Sequence, residues 1–173
     1  MPALVTPSER YRESYIAAMQ ELQAEGTWLH LNIEQLERDF GSYIRDLLRR
    51  SDRATQDPEL VPETFWWLVE GDEFIGVASV RHELNENLLK VGGHIGYAIR
   101  PSKWRMGYGT LILKLVIEKA KELGIRKVLI TCDSDNIPSK KIIEANCGVL
   151  ENEVEADIDG RHVKKLRYWI GIG

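Results

Sequence analysis

Apolar residues recur every three or four positions in four segments of the chain, which is the spacing of residues on one helix face. Two of these segments end at a glycine, Gly26 and Gly124, as helices commonly do. The four predicted helices begin near Thr6, Asn32, Gly107 and Asn136.

Six shorter segments are apolar throughout or alternate between apolar and polar residues, which is typical of β-strands. Turn sequences, Gly71-Asp72 and Asp159-Gly160, separate two adjacent pairs of them. The order of the elements predicts an α/β fold with a mixed sheet and helices on its faces, in a single domain over residues 1–173. The predicted strands cover residues 64–69, 74–84, 91–100, 127–132, 149–154 and 163–170.

The composition narrows the class of protein. At 173 residues, 43% apolar and 29% charged, the chain resembles a soluble globular protein, and its net charge of −4 disfavours nucleic acid as a partner. The apolar run Leu111 to Ile117 is interrupted by Lys114 and is too short to span a membrane. The N-terminus has no apolar signal core, and two cysteines make neither a disulfide framework nor a metal site. We therefore expect a cytoplasmic protein that does not bind a membrane.

The segment from Trp104 to Thr110 has the sequence WRMGYGT, with two glycines where the third helix begins. The first backbone N–H groups of a helix have no internal partner, and the helix dipole gives them partial positive charge. Because glycine leaves these groups uncovered, a pyrophosphate can lie against them. The segment lacks the phosphate-loop pattern of nucleoside triphosphate sites and the third glycine of a dinucleotide fingerprint. By itself the pattern also fits a tight turn that binds nothing.

With its flanking residues, this segment resembles the GNAT superfamily of acyl-CoA-dependent N-acyltransferases. The family motif is Arg/Gln-x-x-Gly-x-Gly/Ala, after a strand that ends in hydrophobe-x-Pro. Ile99-Arg100-Pro101 and the segment from Trp104 to Gly109 match it, except that Trp104 replaces the usual arginine or glutamine. Asn136 followed by Ser139 fits the second landmark of the family, an asparagine after the fifth strand.

The resemblance implies a mostly antiparallel sheet in which two parallel strands, 94–100 and 127–132, splay apart to admit the pantetheine arm of acetyl-CoA. It implies acetyl-CoA as the co-substrate, no metal, and direct attack of a substrate amine on the thioester. A backbone N–H of the first strand would stabilise the oxyanion that forms. The residues expected to bind the co-substrate are Ala98, Ile99, Trp104, Arg105, Met106, Gly107, Tyr108, Gly109, Thr110, Asn136 and Ser139.

Two proton transfers need candidates. An alkyl amine must lose a proton before it attacks, and His94 is the first candidate for the base because relatives carry a glutamate before the same Ile-Gly-Tyr sequence. A structural histidine is the alternative, with His82 or Glu83 as the next candidates for the base. The family's usual acid, a tyrosine on the last helix, is replaced here by Ile143, so Tyr97, Tyr108 or water would protonate the thiolate.

The resemblance leaves two functions open. The first is an enzyme, a monomer or homodimer, that acetylates a primary amine of a small molecule or peptide. The second is a non-catalytic acyl-CoA-binding module on the same fold, which the missing tyrosine and Trp104 keep open. The acceptor is expected near residues 27–31, 51–63 and 84–92, where the apolar segment at Trp28 is either core or a substrate wall.

Overall fold

The computed structural model describes residues 1–55 and 57–173. The predicted loop at residues 51–63 includes Gln56, which lies outside the described residues. The helices are α1 (Arg12–Ala24), α2 (Ile33–Arg38), α3 (Phe40–Arg49), α4 (Tyr108–Glu122) and α5 (Ile137–Ala145). The strands are β1 (Ala3–Val5), β2 (Glu63–Glu70), β3 (Glu73–Arg81), β4 (Ile95–Ile99), β5 (Lys127–Asp133), β6 (Val149–Ile158) and β7 (Arg161–Gly171).

The strands form two antiparallel sheets, one in the order β1-β2-β3-β4 and the other in the order β5-β7-β6. In the described part of the chain no ladder joins β4 to β5, so the sheets face each other across a gap. At one end the gap is closed, because the N–H of His94 donates to the carbonyl of Leu129 at 2.7 Å. The predicted mostly antiparallel fold with a splayed strand pair is confirmed.

The predicted N-terminal helices are partly wrong in their boundaries. Ser8, rather than Thr6, caps a short 3₁₀ turn before α1. One helix predicted from Asn32 onward is two, because Asp39 leaves the helical region at φ −147° and accepts the N–H of Ser42 to start α3. Strand β1 was not predicted, since three residues are too few for a pattern of alternation to show.

The strand predicted at 91–100 begins only at Ile95. Before it, Leu88–Gly92 forms one turn of π-helix, and Gly93 follows at φ 69°. The guanidinium of Arg81 donates to the carbonyls of Gly92 and Gly93, at 3.1 Å each, and this fixes the turn. A side chain at position 93 would come within 2.6 Å of the Leu129 carbonyl, so the strands could not approach there without glycine.

The first sheet is covered on both faces. Alternation along β2 sends Trp67 to the face that packs on α1 and α3, where its ring stacks on Tyr15 at 4.4 Å between centroids. The next residue, Leu68, points to the other face, toward Ile112 and Val116 of α4. The sheet gap is thus held between two packed layers. None of the described helices is long and apolar enough to cross a lipid bilayer.

Candidate active site

The N-terminus of α4 lies beside the gap and presents free amides. Gly107 caps the helix in the left-handed region, at φ 85° and ψ −1°, and Arg105 is also left-handed at φ 63°. From Arg105 to Thr110, no backbone N–H donates to an acceptor in the described part of the chain. A run of unpaired N–H groups with the helix dipole behind it is an anion-binding concavity.

The two glycines of the motif serve different purposes. Gly107 takes a positive φ, and a side chain there would meet nothing within 4 Å. At Gly109 a side chain would come within 2.5 Å of Cδ1 of Ile142, so this glycine leaves room for the Ile142 side chain in its present position. The alternative stated for this pattern, a tight turn, therefore accounts for part of it, because Gly107 is also needed for its backbone conformation.

From this helix end a groove of about 600 Å³ runs into the gap between the sheets, a size usual for small-molecule sites. It brings together seven of the eleven residues predicted to bind the co-substrate, along with Tyr97. Of the other four, Met106 is exposed to solvent and the hydroxyl of Tyr108 donates to Glu70 at 3.3 Å. The predicted residues that line it are Ala98, Ile99, Trp104, Arg105, Gly109, Asn136 and Ser139.

Trp104, the departure from the family motif, has a defined contact. Its indole N–H donates to the carbonyl of Ile99 at 2.7 Å, while its side chain is 48% exposed. The ring therefore lies over the C-terminal end of β4, inside the groove. Nearby Lys103 is paired with Glu73 at 2.9 Å, which raises the pKa of the lysine through a hydrogen bond.

The hydroxyl groups of Tyr97 and Ser139 meet across the gap at 2.8 Å, joining β4 to the first turn of α5. Burial raises the pKa of Tyr97 to about 12, and the bond to Ser139 opposes that rise only in part. Asn136 holds this helix start in place, since its side chain accepts the N–H of Ser139 at 3.2 Å. Tyr97 thus keeps its proton at neutral pH.

His94 lies at the closed end of the gap, buried and outside the lining of the groove. Its Nδ1 accepts the N–H of Leu129 at 2.9 Å, so that lone pair is engaged. Burial, and then the charge of Arg81, lower the pKa of the imidazole. These contacts weigh against the prediction that His94 takes a proton from an acceptor, and they favour the structural alternative.

The two other candidates for the base, His82 and Glu83, also lie outside the groove. His82 follows β3 and shares a hydrogen bond with the hydroxyl of Thr64 at 2.7 Å. Burial lowers the pKa of His82. Glu83 is exposed and pairs with Arg53. Neither residue is among those that line the groove.

A second cleft, of about 290 Å³, opens on the α1 side of the first sheet and adjoins the groove. Trp28, Tyr97 and Ala98 line both cavities. Trp28 is half-buried at φ 56° and packs beside the N-terminal core, so it is both core and wall. The sequence patterns do not predict that Glu63, Ser79 and Gly96 also line this cleft. These residues lie 16 or more positions apart in the chain, and the strand register brings them together.

Residues 4–148 match a family model described as the acetyltransferase (GNAT) domain. No curated protein sequence matches the chain. The microcin C7 self-immunity acetyltransferase MccE, solved with acetyl-CoA and AMP, is 18% identical and superimposes with a TM-score of 0.74, over 99% of this chain and 92% of its own.

Two further structures have the same fold. An acetyltransferase from Salmonella typhimurium that modifies the N-terminal serine of ribosomal protein L7/L12 is 18% identical, with a TM-score of 0.71 over 99% of this chain and 95% of its own. RimJ from Mycobacterium smegmatis, solved with CoA-disulfide, is 15% identical, with a TM-score of 0.74 over 98% of this chain and 81% of its own. Because the family model matches residues 4–148, which is most of this chain, the chain belongs to the GNAT family of acetyltransferases.

Proposed function

We propose that this protein transfers the acetyl group of acetyl-CoA to a primary amine of a small molecule or peptide, within a ternary complex. The observation that carries the proposal is the junction of the two cavities at Trp28, Tyr97 and Ala98. A thioester held in the groove and an amine held in the cleft would meet there. Such a meeting point is what direct transfer between two bound substrates requires.

The groove suits acetyl-CoA as its occupant. The unpaired N–H groups from Arg105 to Thr110 fit a pyrophosphate, and Arg105, which is exposed, adds positive charge. The unladdered edge of β4 offers backbone groups to the amides of a pantetheine arm. When bound, acetyl-CoA supplies an activated acyl group, so the protein needs to orient and protonate rather than form a covalent bond itself.

Tyr97 is the proposed acid. The ammonium first loses one proton to solvent. The neutral nitrogen then forms a bond to the thioester carbon, loses its second proton to solvent, and the carbon–sulfur bond breaks to leave the amide and the thiolate. The phenol donates its proton to the departing thiolate and regains one through Ser139 or solvent. A backbone N–H on the gap side of β4 stabilises the oxyanion formed on the way.

His94 is a positioning residue in this scheme. By tying the start of β4 to β5 it closes one end of the gap and sets how far the strands diverge. The groove width at Tyr97 and Ser139 follows from that divergence. The scheme gives no direct proton transfer to the imidazole, because its Nδ1 already accepts a backbone N–H.

The test is free-thiol release from acetyl-CoA with a panel of primary amines, for the wild type and Tyr97→Phe. We expect amine-dependent thiol release, with the acetylated amine found by mass spectrometry, and a much lower rate in the variant. If CoA binds with no turnover for any amine in the panel, the protein is the non-catalytic binding module instead. Equal rates for both proteins would remove Tyr97 from the mechanism.

A further inference from the structure

We infer that Glu63 is the residue that selects the acceptor, by binding the ammonium group of an amine whose apolar stem lies between Trp28 and Phe65. This inference deepens the proposed function and depends on it for the identity of the second substrate. The substrate class it names is a primary ammonium on an apolar stem. The neutral alcohol of the same shape is the class it excludes.

The cleft has the walls that such a stem needs. Trp28 and Phe65 are both half-buried and face it, and both also pack on the edge of the N-terminal core. Val77 forms the inner end. Aromatic and aliphatic side chains around a few fixed polar groups are the usual lining of a small-molecule site.

Among the described residues that line the cleft, Glu63 is the one carboxylate. The hydroxyl of Ser79, which is 6% exposed, donates to Oε1 of Glu63 at 2.7 Å. The second oxygen, Oε2, has no hydrogen-bond partner in the described part of the chain. One oxygen is thus anchored while the other remains open to a donor in the cleft, and an ammonium has three N–H donors to offer.

The strand register directs this carboxylate toward the reaction centre. Glu63 pairs with Arg81 in the β2–β3 ladder, and Ser79 pairs with Gly96 of β4, two residues closer to the groove. Two residues along a strand span about 7 Å. Because Oε1 of Glu63 accepts the hydroxyl of Ser79, the Glu63 side chain extends along the sheet toward the groove. The adjacent residue of β4 is Tyr97, which borders the cleft while alternation turns its phenol to the other face of the sheet, toward Ser139.

Gly96 keeps the floor of the cleft open. A side chain built at this position would meet the hydroxyl of Ser79 at 3.5 Å, which is ordinary contact distance. Alanine is therefore tolerated by the fold, but its methyl group would occupy the space beside the Glu63–Ser79 pair. Gly96→Ala therefore changes the shape of the cleft without removing a charged group.

The neighbouring charges do not cancel this preference. Arg81 Nε lies 3.7 Å from Oε1, but Arg81 is held by the carbonyls of Gly92 and Gly93. Arg50 stacks over the outer face of the Phe65 ring, with 5.5 Å from Cζ to the ring centroid. Arg81 also lines the cleft, but its recorded contacts are with Oε1 and with the two carbonyls, and in the described part of the chain Oε2 stays without a partner.

The experiment measures binding rather than turnover. Phenethylamine and its neutral counterpart 2-phenylethanol are titrated calorimetrically into the CoA-saturated protein. We expect the wild type to bind the amine about 10- to 100-fold more tightly than the alcohol, the range for a hydrogen bond to a charged group. Glu63→Gln should remove that preference, and Gly96→Ala should weaken both ligands. Glu83→Gln is the matched control, since that carboxylate pairs with Arg53 outside the cleft.

The outcomes separate the inference from the proposed function. An amine preference that survives in Glu63→Gln, or a wild type that binds neither ligand, would overturn the role of Glu63. A preference that depends on Glu63 in a protein with no thiol release would support the inference while the catalytic proposal fails. Equal CoA affinity across the variants shows that the groove is intact.

Discussion

Replacing Gly107 with alanine tests the anion-binding end of α4 most directly. Gly107 has φ 85° and ψ −1°, whereas an L-residue in the left-handed region prefers about 57° and 47°. Alanine has open space around its side chain, so no clash confuses the result. It relieves backbone strain by rotating the two adjoining peptide planes, and these planes carry the unpaired N–H groups of position 107 and of Tyr108.

The magnitude follows from strain and from the lost alignment. A non-glycine residue held left-handed costs about 1–2 kcal/mol of stability. Misaligning the helix N-terminus removes about 1–2 kcal/mol of attraction for an anion in a partly buried site. We therefore expect Gly107→Ala to unfold at lower urea concentration and to bind CoA about tenfold more weakly.

Gly124 supplies a matched control at the other end of the same helix. It has φ 84° and nothing within 4 Å of a built side chain, so Gly124→Ala carries nearly the same strain. We expect a similar loss of stability in urea unfolding and an unchanged dissociation constant for CoA in calorimetry. If both alanine variants bind CoA as the wild type does, the free amides of α4 are not the phosphate site.

The remaining predictions concern His94 and Tyr97. His94→Ala leaves the N–H of Leu129 without its acceptor and should lower the free energy of unfolding in urea by about 1–3 kcal/mol. His94→Asn keeps an acceptor near the Nδ1 position and should retain most of the stability and the turnover. A well-folded asparagine variant without turnover would restore His94 as the base. Because burial and Arg81 lower the pKa of His94, the unfolded chain binds the proton first, so the stability from this group is full above about pH 6.5 and declines as the pH falls below it. Urea midpoints at neutral and acidic pH should therefore differ less for His94→Asn than for the wild type. Tyr97→Phe should lower kcat by about a hundredfold and leave the CoA dissociation constant unchanged. Because the pKa of Tyr97 is raised to about 12, the wild-type rate should not fall through deprotonation of Tyr97 up to pH 10. A variant kcat equal to that of the wild type would contradict the assignment.

Local chemistry made the helix ends beside the groove predictable from the sequence. Gly107, Asn136 and Ser139 act within a few residues of their own positions, as caps and free amides at helix ends. The β6–β7 hairpin at Asp159-Gly160 was predicted for the same reason, because its turn is a property of two adjacent residues.

The cleft proposed to hold the acceptor could not be predicted, because its parts come from distant segments. Glu63, Ser79 and Gly96 are adjacent only through the registers of two ladders, and nothing in the residues near Glu63 distinguishes it from a solvated glutamate. The same holds for the start of β4. Apolar alternation predicted strand from residue 91, but the contact of Arg81 with the Gly92 and Gly93 carbonyls imposes a π-turn instead.

The gap between the two sheets has a consequence for the integrity of the molecule. The edges of β4 and β5 lie next to each other inside the protein. In the described part of the chain a backbone hydrogen bond joins them at His94, and no β-ladder does. A ligand bound in that gap would connect the two sheets and so stabilise the fold. Slower hydrogen exchange along β4 and β5 when CoA is added would be the direct sign that the ligand completes the architecture.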